Sequence, residues 1–353
     1  MTPKSITLQD IADEAGVSKT IVSKVINGRA AGRVSEKKLS LIRNLIAKYD
    51  YVPLFSAQSL ATRKTHQIAF LLSDGTSMMF ENPVFARMLR GVVETCKKYN
   101  YSCQTDFHNF RDLENFILPE NLRRRGVDGC ILTGNLSPDV LEEISRIRIP
   151  VVVLGGEPIR DVVPVITRTS KPEYEELLSY CYKLGHRHIL LSGCGENARK
   201  VYPVLLEKFP GLKVTLCEED TAEECETLAG RILSFSREER PSMFFGNEIL
   251  CCGVLSLLRE QGIRCPEQIS CVASSGCTLA DLYHPRLTTY SADFLEYGIQ
   301  GAELLIEMIR ENLSLPEAVA KAKSIRISSC FTERESVLNI NSIRKKIMGG
   351  SVV

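Results

Sequence analysis

Residues 7–27 read Thr-Leu-Gln-Asp-Ile-Ala-Asp-Glu-Ala-Gly-Val-Ser-Lys-Thr-Ile-Val-Ser-Lys-Val-Ile-Asn, and this stretch decides the fold of the front of the chain. Thr7, three residues ahead of Asp10, is a helix-start pair: the hydroxyl accepts from a free backbone N–H, and the carboxylate suits the positive helix end. Leu8, Ile11, Ala12 and Ala15 then recur at helical spacing. Gly16 supplies the left-handed turn that closes this first helix, and Ser18 stands where a second would be capped. In that second helix Val22, Val25 and Ile26 face inward. Lys19, Thr20, Ser23 and Lys24 are left outside, on a face that fits a DNA major groove. The spacing predicts a helix-turn-helix.

Working outward, a third helix starts at Ser35, carries Leu39, Ile42, Leu45, Ile46 and Tyr49 on one face, and stops before Asp50 and Pro53. It completes an α-helical headpiece over residues 1–52. Residues 53–64 form a linker too short for an isolated helix to be more than marginal in water. The whole chain of 353 residues has a net charge of +1, unevenly spread. Residues 1–65 hold eleven Lys and Arg against five Asp and Glu, a net of +6, which leaves −5 for the rest. A basic front on an acidic body suits phosphate binding at one end.

From about Gln67 the pattern changes to strand, then helix, repeated. Ile68 to Leu72, Val127 to Leu132 and Val151 to Leu154 read as buried strands, with a helix from Pro83 to Tyr99. The rhythm restarts near Val163, with a helix from Lys171 to Leu184 and strands His188–Leu191, Lys213–Cys217, Met243–Phe245 and Ile269–Ala273. Near-continuous apolar strands alternating with amphipathic helices predict an α/β body of two parallel-sheet lobes, each sheet covered on both faces.

The ordered motifs Val22-Ser23-Lys24-Val25-Ile26-Asn27-Gly28, Val34-Ser35-Glu36, Tyr51-Val52-Pro53 and Ala57-Gln58-Ser59-Leu60 resemble the lactose-repressor (LacI/GalR) family of bacterial transcription regulators. The resemblance continues through Asn82-Pro83-Val84-Phe85, Val127-Asp128-Gly129, Leu184-Gly185-His186-Arg187, the run from Gly262 to Ser270, and Pro285-Arg286-Leu287-Thr288-Thr289. It implies a periplasmic-binding-protein-like body over residues 65–338 that crosses between lobes three times, near 163, 290 and 325. The N-lobe would hold about 65–162 and 291–324, and the C-lobe about 163–290 and 325–338. Residues 339–353 remain as a tail. Lys19, Thr20 and Lys24 correspond to base readers, Ile21 replaces a threonine, and Ser23 and Asn27 face phosphate. Thr7, Ser18, Val34, Ser56 and Ala57 join the implied DNA contacts. Leu60 sits where the family inserts an apolar wedge into a central base step. The expected partners are double-stranded DNA and a second copy of the chain, paired on a pseudo-palindromic operator.

The effector cleft is less legible. The family's Phe-Asp-Asp after the penultimate strand is Ser274-Ser275-Gly276 here, and Asp-Asn at the second lobe is Thr169-Ser170. Asn82, Phe85, Thr169, Arg199, Asn247, Glu248 and Ser275 are the candidate effector residues, for a small polar ligand such as a sugar or derivative. The alternative is an ungated or partner-regulated DNA binder whose cleft has lost sugar binding. Thirteen cysteines scattered without a Cys-x-x-Cys pair fit neither a disulfide framework nor a zinc site. No nucleophile elbow, phosphate loop or metal-ligand cluster points to catalysis, so no enzyme and no cofactor are expected. The first residues lack a secretion signal and no segment is apolar enough to span a bilayer, so no membrane partner and a cytoplasmic location are expected.

Overall fold

The computed structural model describes residues 6–26, 28, 30, 34–52, 59, 62, 64–73, 83–134, 136–155, 161–167, 170–194, 196–220, 222–274 and 278–343. The chain divides into two compact units, Met1–His66 and Gln67–Val353.

The first unit holds α1 (Leu8–Ala15), α2 (Lys19–Ile26) and α3 (Glu36–Lys48). Thr7 and Asp10 form a reciprocal capping box, and Gly16 ends α1 at φ +61°. Ser35 caps α3 by accepting from the Lys38 N–H. Ile11, Ala12, Val22 and Ile42 are fully buried in one cluster, with Val25, Ala30 and Leu45 close behind. Burial of a large aliphatic side chain contributes roughly 1.5–3 kcal/mol, so a handful of residues stabilises this small domain.

The second unit contains two sheets. The first has order β2-β1-β3-β4-β5, all parallel, from β1 (Gln67–Ser73), β2 (Ser102–His108), β3 (Gly129–Thr133), β4 (Val151–Leu154) and β5 (Val165–Ile166). Its helices are α4 (Pro83–Lys98), α5 (Glu120–Arg123) and α6 (Pro138–Ser145). The second sheet, ordered β11-β10-β9-β8-β6-β7, is built from β6 (His188–Leu191), β7 (Lys213–Leu216), β8 (Met243–Asn247), β9 (Ser270–Ser274), β10 (Thr288–Ala292) and β11 (Ser329–Thr332). α7 (Ser170–Lys183) leads into this sheet, and between its strands run α8 (Glu196–Leu206), α9 (Cys225–Ser234), α10 (Glu248–Glu260) and α11 (Thr278–Leu282). After β10 the chain enters α12 (Phe294–Glu311) and α13 (Leu315–Ser324). These pack on the first sheet, where Leu304, Leu305 and Ala318 share a core with Ile68, Phe70 and Val92.

The pairings place the first two crossings a few residues beyond where they were expected. Val165 pairs with Val153, and Ile166 with Leu154, so the first crossing follows Ile166 and not residue 163. The second follows Ala292, the end of β10, two residues beyond the expected point; the third lies between Ser324 and Ser329. Both sheets are parallel-dominated, as expected, with the edge strand β11 antiparallel to β10. β2 had no apolar signature because it is an edge strand whose Ser102, Gln104, Thr105 and Asp106 are exposed.

Two buried polar side chains tie the end of the described chain to the second sheet. Ser336 Oγ donates to the Cys271 carbonyl at 2.6 Å and accepts from the Thr288 N–H at 2.8 Å. The His186 ring bonds Ser242 Oγ at 2.9 Å and the Leu338 carbonyl at 3.1 Å.

Candidate nucleic-acid interface and effector site

The headpiece presents α2 through packing on one side only. Val22 and Val25 are buried, Lys19 and Thr20 are exposed, and Ser23 and Lys24 are half-buried. Among the described residues nothing engages the ammonium groups of Lys19 and Lys24. Ser18 is exposed and its carbonyl accepts from the Ile21 and Val22 N–H groups. Ile21 and Val34 are half-buried and pack against the headpiece core, which leaves only part of each surface for a groove. The Thr7 hydroxyl is committed to Asp10, at 2.7 Å from Oδ2, so Thr7 offers DNA chiefly the positive start of a helix. Asn27, Ser56, Ala57 and Leu60 lie outside the described residues.

A polar clamp, not visible in the sequence, fixes the end of α1 against the end of α3. Glu14 accepts from the Tyr49 hydroxyl at 2.7 Å and from Lys48 Nζ at 3.0 Å, and Lys48 also reaches Tyr49 at 2.9 Å. The Tyr49 hydroxyl, then Lys48, hold the Glu14 carboxyl below its ordinary range. Lys38 Nζ donates to the Gly16 carbonyl at 3.0 Å, bracing the turn that sets the angle of α2. The partners that join different helices are 22 to 35 residues apart, so periodicity alone carries no trace of them.

In the body, the carboxyl ends of parallel strands are where open α/β sheets receive ligands. Three expected effector residues at the second sheet are already engaged. Arg199 is exposed and paired with Glu218. Asn247 caps α10, its Oδ1 accepting from the Leu250 N–H at 2.8 Å, while its Nδ2 donates to Asp220 Oδ1 at 3.0 Å and to the Asp220 carbonyl. Glu248 is buried and its carboxylate accepts from the Ala280 N–H in α11. At the first sheet Phe85 is half-buried against the core. Asn82, Thr169 and Ser275 lie outside the described residues. The residue that sequence reading missed is Asp220, which follows β7 and meets Asn247 from β8. The only sequence signal was its place in the acidic run Glu218-Glu219-Asp220.

Among the described residues no group of three or more His, Cys, Asp or Glu is placed to hold a metal ion, and no helix is long and apolar enough to cross a membrane.

The family model "Bacterial regulatory proteins, lacI family" matches residues 7–53, and "Periplasmic binding protein-like domain" matches residues 178–337. The chain is 27% identical over 330 residues to the HTH-type transcriptional regulator KdgR of Bacillus subtilis, covering 89% of this chain and 94% of that protein. It is 29% identical over 327 residues to the HTH-type transcriptional repressor PurR of Vibrio atlanticus, covering 86% and 92%. A lac repressor dimer bound to operator and the anti-inducer ONPF superposes with a TM-score of 0.76 at 20% identity, covering 95% of this chain and 100% of that one. A CelR–cellobiose complex does so with 0.61 at 21% identity, covering 94% and 99%. The helix-turn-helix front and the two-sheet periplasmic-binding-protein-like body have this fold.

Proposed function

This chain belongs to the LacI family of bacterial regulatory proteins, and from that premise we propose that it is a repressor acting as a homodimer on a pseudo-palindromic operator. That it is a helix-turn-helix regulator of transcription follows from the family. The specific reading rests on one observation: α2 is held by its buried face while Lys19, Thr20, Ser23 and Lys24 line the other.

Lys19 and Lys24 donate to guanine O6 and N7, Thr20 reads a neighbouring base edge, and Ser23 and Asn27 take phosphate. Residues 1–52 are the reading head, 53–64 the hinge with Leu60 as wedge, and 65–338 the two-lobed effector and dimerisation body. One headpiece makes too few contacts to hold an operator alone; pairing doubles them and sets the half-site spacing. An effector between the lobes favours one lobe arrangement, and with it one state of the hinge, by no more than its differential affinity. The reaction-free role and a cytoplasmic location belong to the same proposal.

Selection of bound duplexes from a random pool, followed by footprinting, tests it. A symmetric site protected on both half-sites is the expected result. Indifference among duplexes at moderate ionic strength would overturn the reading. A second reading, an ungated DNA binder, is favoured by the internal engagement of Arg199, Asn247 and Glu248. Operator affinity that stays constant across a broad metabolite panel would select it.

A further inference from the structure

We propose that Asp220 is the anchor of the effector site in the second lobe and that it selects a small polar effector bearing a protonated amine. The inference rests on the reading that the inter-lobe cleft is gated by a ligand, and it names the ligand's chemical class.

Three strand ends converge on this carboxylate. Gly193 follows β6, Asp220 follows β7, and Asn247 ends β8. Gly193 sits at φ +67°, and a Cβ there would lie 2.7 Å from Asp220 Oδ1, so the glycine is what lets the carboxylate lie across the end of β6. Asn247 grips Asp220 by both its carbonyl and Oδ1, and Asn247 is itself fixed by capping α10. The Asp220 N–H donates to Glu224 at 2.9 Å, which holds the backbone on its other side. A side chain fixed by neighbours that are themselves fixed is a preorganised ligand contact.

Glu218 and Glu219 each meet an arginine, and Asp220 does not. Glu218 is paired with Arg199, and Glu219 Oε1 with Arg231, while Glu219 Oε2 is buried without a hydrogen-bond partner among the described residues. Among the described residues no lysine or arginine meets Asp220. The residue stays exposed at the surface, although the carboxyl packs against Gly193 and Asn247. Oδ1 takes one hydrogen bond from Asn247, and a carboxylate has acceptor capacity for several more. A neutral polyol can fill such a position, but an N⁺–H donor forms the shorter and stronger charge-assisted bond. The surroundings favour the cation too: Glu223 and Glu224 add negative charge, while Arg199 and Arg231 are spent on their partners.

Burial, eased by the Asn247 amide and reinforced by Glu224, pushes the Asp220 carboxyl up to about 6. The charged or titratable groups around it are Cys194 from the end of β6, Arg199 from α8, Glu218 and Glu219 from its own segment, Glu223 and Glu224 from the 3-10 turn and Arg231 from α9. At about 6, Asp220 loses its charge just below neutrality.

The test uses the full-length protein and matched pairs of probes, each an amine and its hydroxyl isostere: glucosamine with glucose, ethanolamine with ethylene glycol, and aminobutanol with butanediol. Thermal unfolding is followed with each probe in excess. At least one amine is expected to raise Tm by about 2 °C or more, as binding to the native state alone requires, with its isostere giving less than half that shift. The shift should vanish in Asp220→Asn. Because that change disturbs Asn247, the amine shift of the unaltered protein is also measured from about pH 7.5 to about pH 5 with ethanolamine or aminobutanol, which stay protonated throughout; it should fall as Asp220 takes up its proton.

Equal shifts from amine and isostere, a shift that survives both Asp220→Asn and the lower pH, or no shift from any amine would each overturn the assignment. The operator-binding reading fails separately, by loss of site preference on DNA.

Discussion

Lys24 is a point charge on a flexible stem, where a guanidinium would present a planar fork, so in the proposed reading head it softens discrimination at the base it faces. Lys24→Ala should weaken operator binding by about 1–3 kcal/mol and relax preference at the facing base pair, read by competition binding with single-base variants. Leu60→Ala should weaken specific binding far more than non-specific binding, because only a correctly bent site gains from the wedge; equal losses on both duplexes would remove that role. In the body, burial pushes the His186 imidazole down to about 4, and the neutral tautomer satisfies Ser242 and Leu338 together. An unfolded histidine protonates near about 6.5. The stability this neutral ring contributes is therefore fully present above that pH and is lost as pH falls toward about 4, by roughly 3 kcal/mol at most. Urea midpoints of the native protein and His186→Asn across this window should show a shallower acid slope in the variant. The two partners of His186 lie 56 and 152 residues away, so no local pattern in the sequence records them.

Elements meet where side chains allow them to. α4 and α12 cross at Gly91 and Gly298, where an added Cβ on either glycine would strike the backbone of the other helix at Leu295 or Met88. Backbone cannot yield as a flexible side chain does, so Gly298→Val should cost about 2–4 kcal/mol by overpacking, measured by denaturant unfolding. In the headpiece the reach is shorter. Gly16 holds φ +61° with open space around its α-carbon, so Gly16→Ala should cost about 1 kcal/mol through backbone strain and not through a clash, read as the Tm of the isolated headpiece if it folds or as reduced operator affinity of the whole chain. The strands and helices of both lobes were legible wherever one face was apolar. The edge strand β2 was not, because an exposed edge needs no apolar face. The antiparallel β11 was hidden for a different reason: Ser329-Cys330-Phe331-Thr332 is short and mixed, and its pairing with β10 is decided by a partner some forty residues earlier.

For the molecule as a whole, a +6 front and a −5 remainder place the phosphate-binding charge at one end. Affinity for operator should fall steeply with salt, the slope of log K against log salt being about −0.9 for each phosphate neutralised. Sedimentation of the free protein at micromolar concentration should show a dimer, as the proposed pairing on two half-sites requires. The sequence by itself determined the helix-turn-helix, the alternation that makes two α/β lobes and the family, because caps, turns and hydrophobic period are local properties of the chain. Only the tertiary structure decided which polar side chains are spent and which are open. It committed Asn247 and Glu248 to hydrogen bonds at helix ends and Arg199 to an exposed ion pair with Glu218, moved the first crossing past Ile166, and brought Asp220 beside Gly193 and Asn247. A hydrogen bond between residues 27 positions apart depends on where strands end in space, and no local pattern records that.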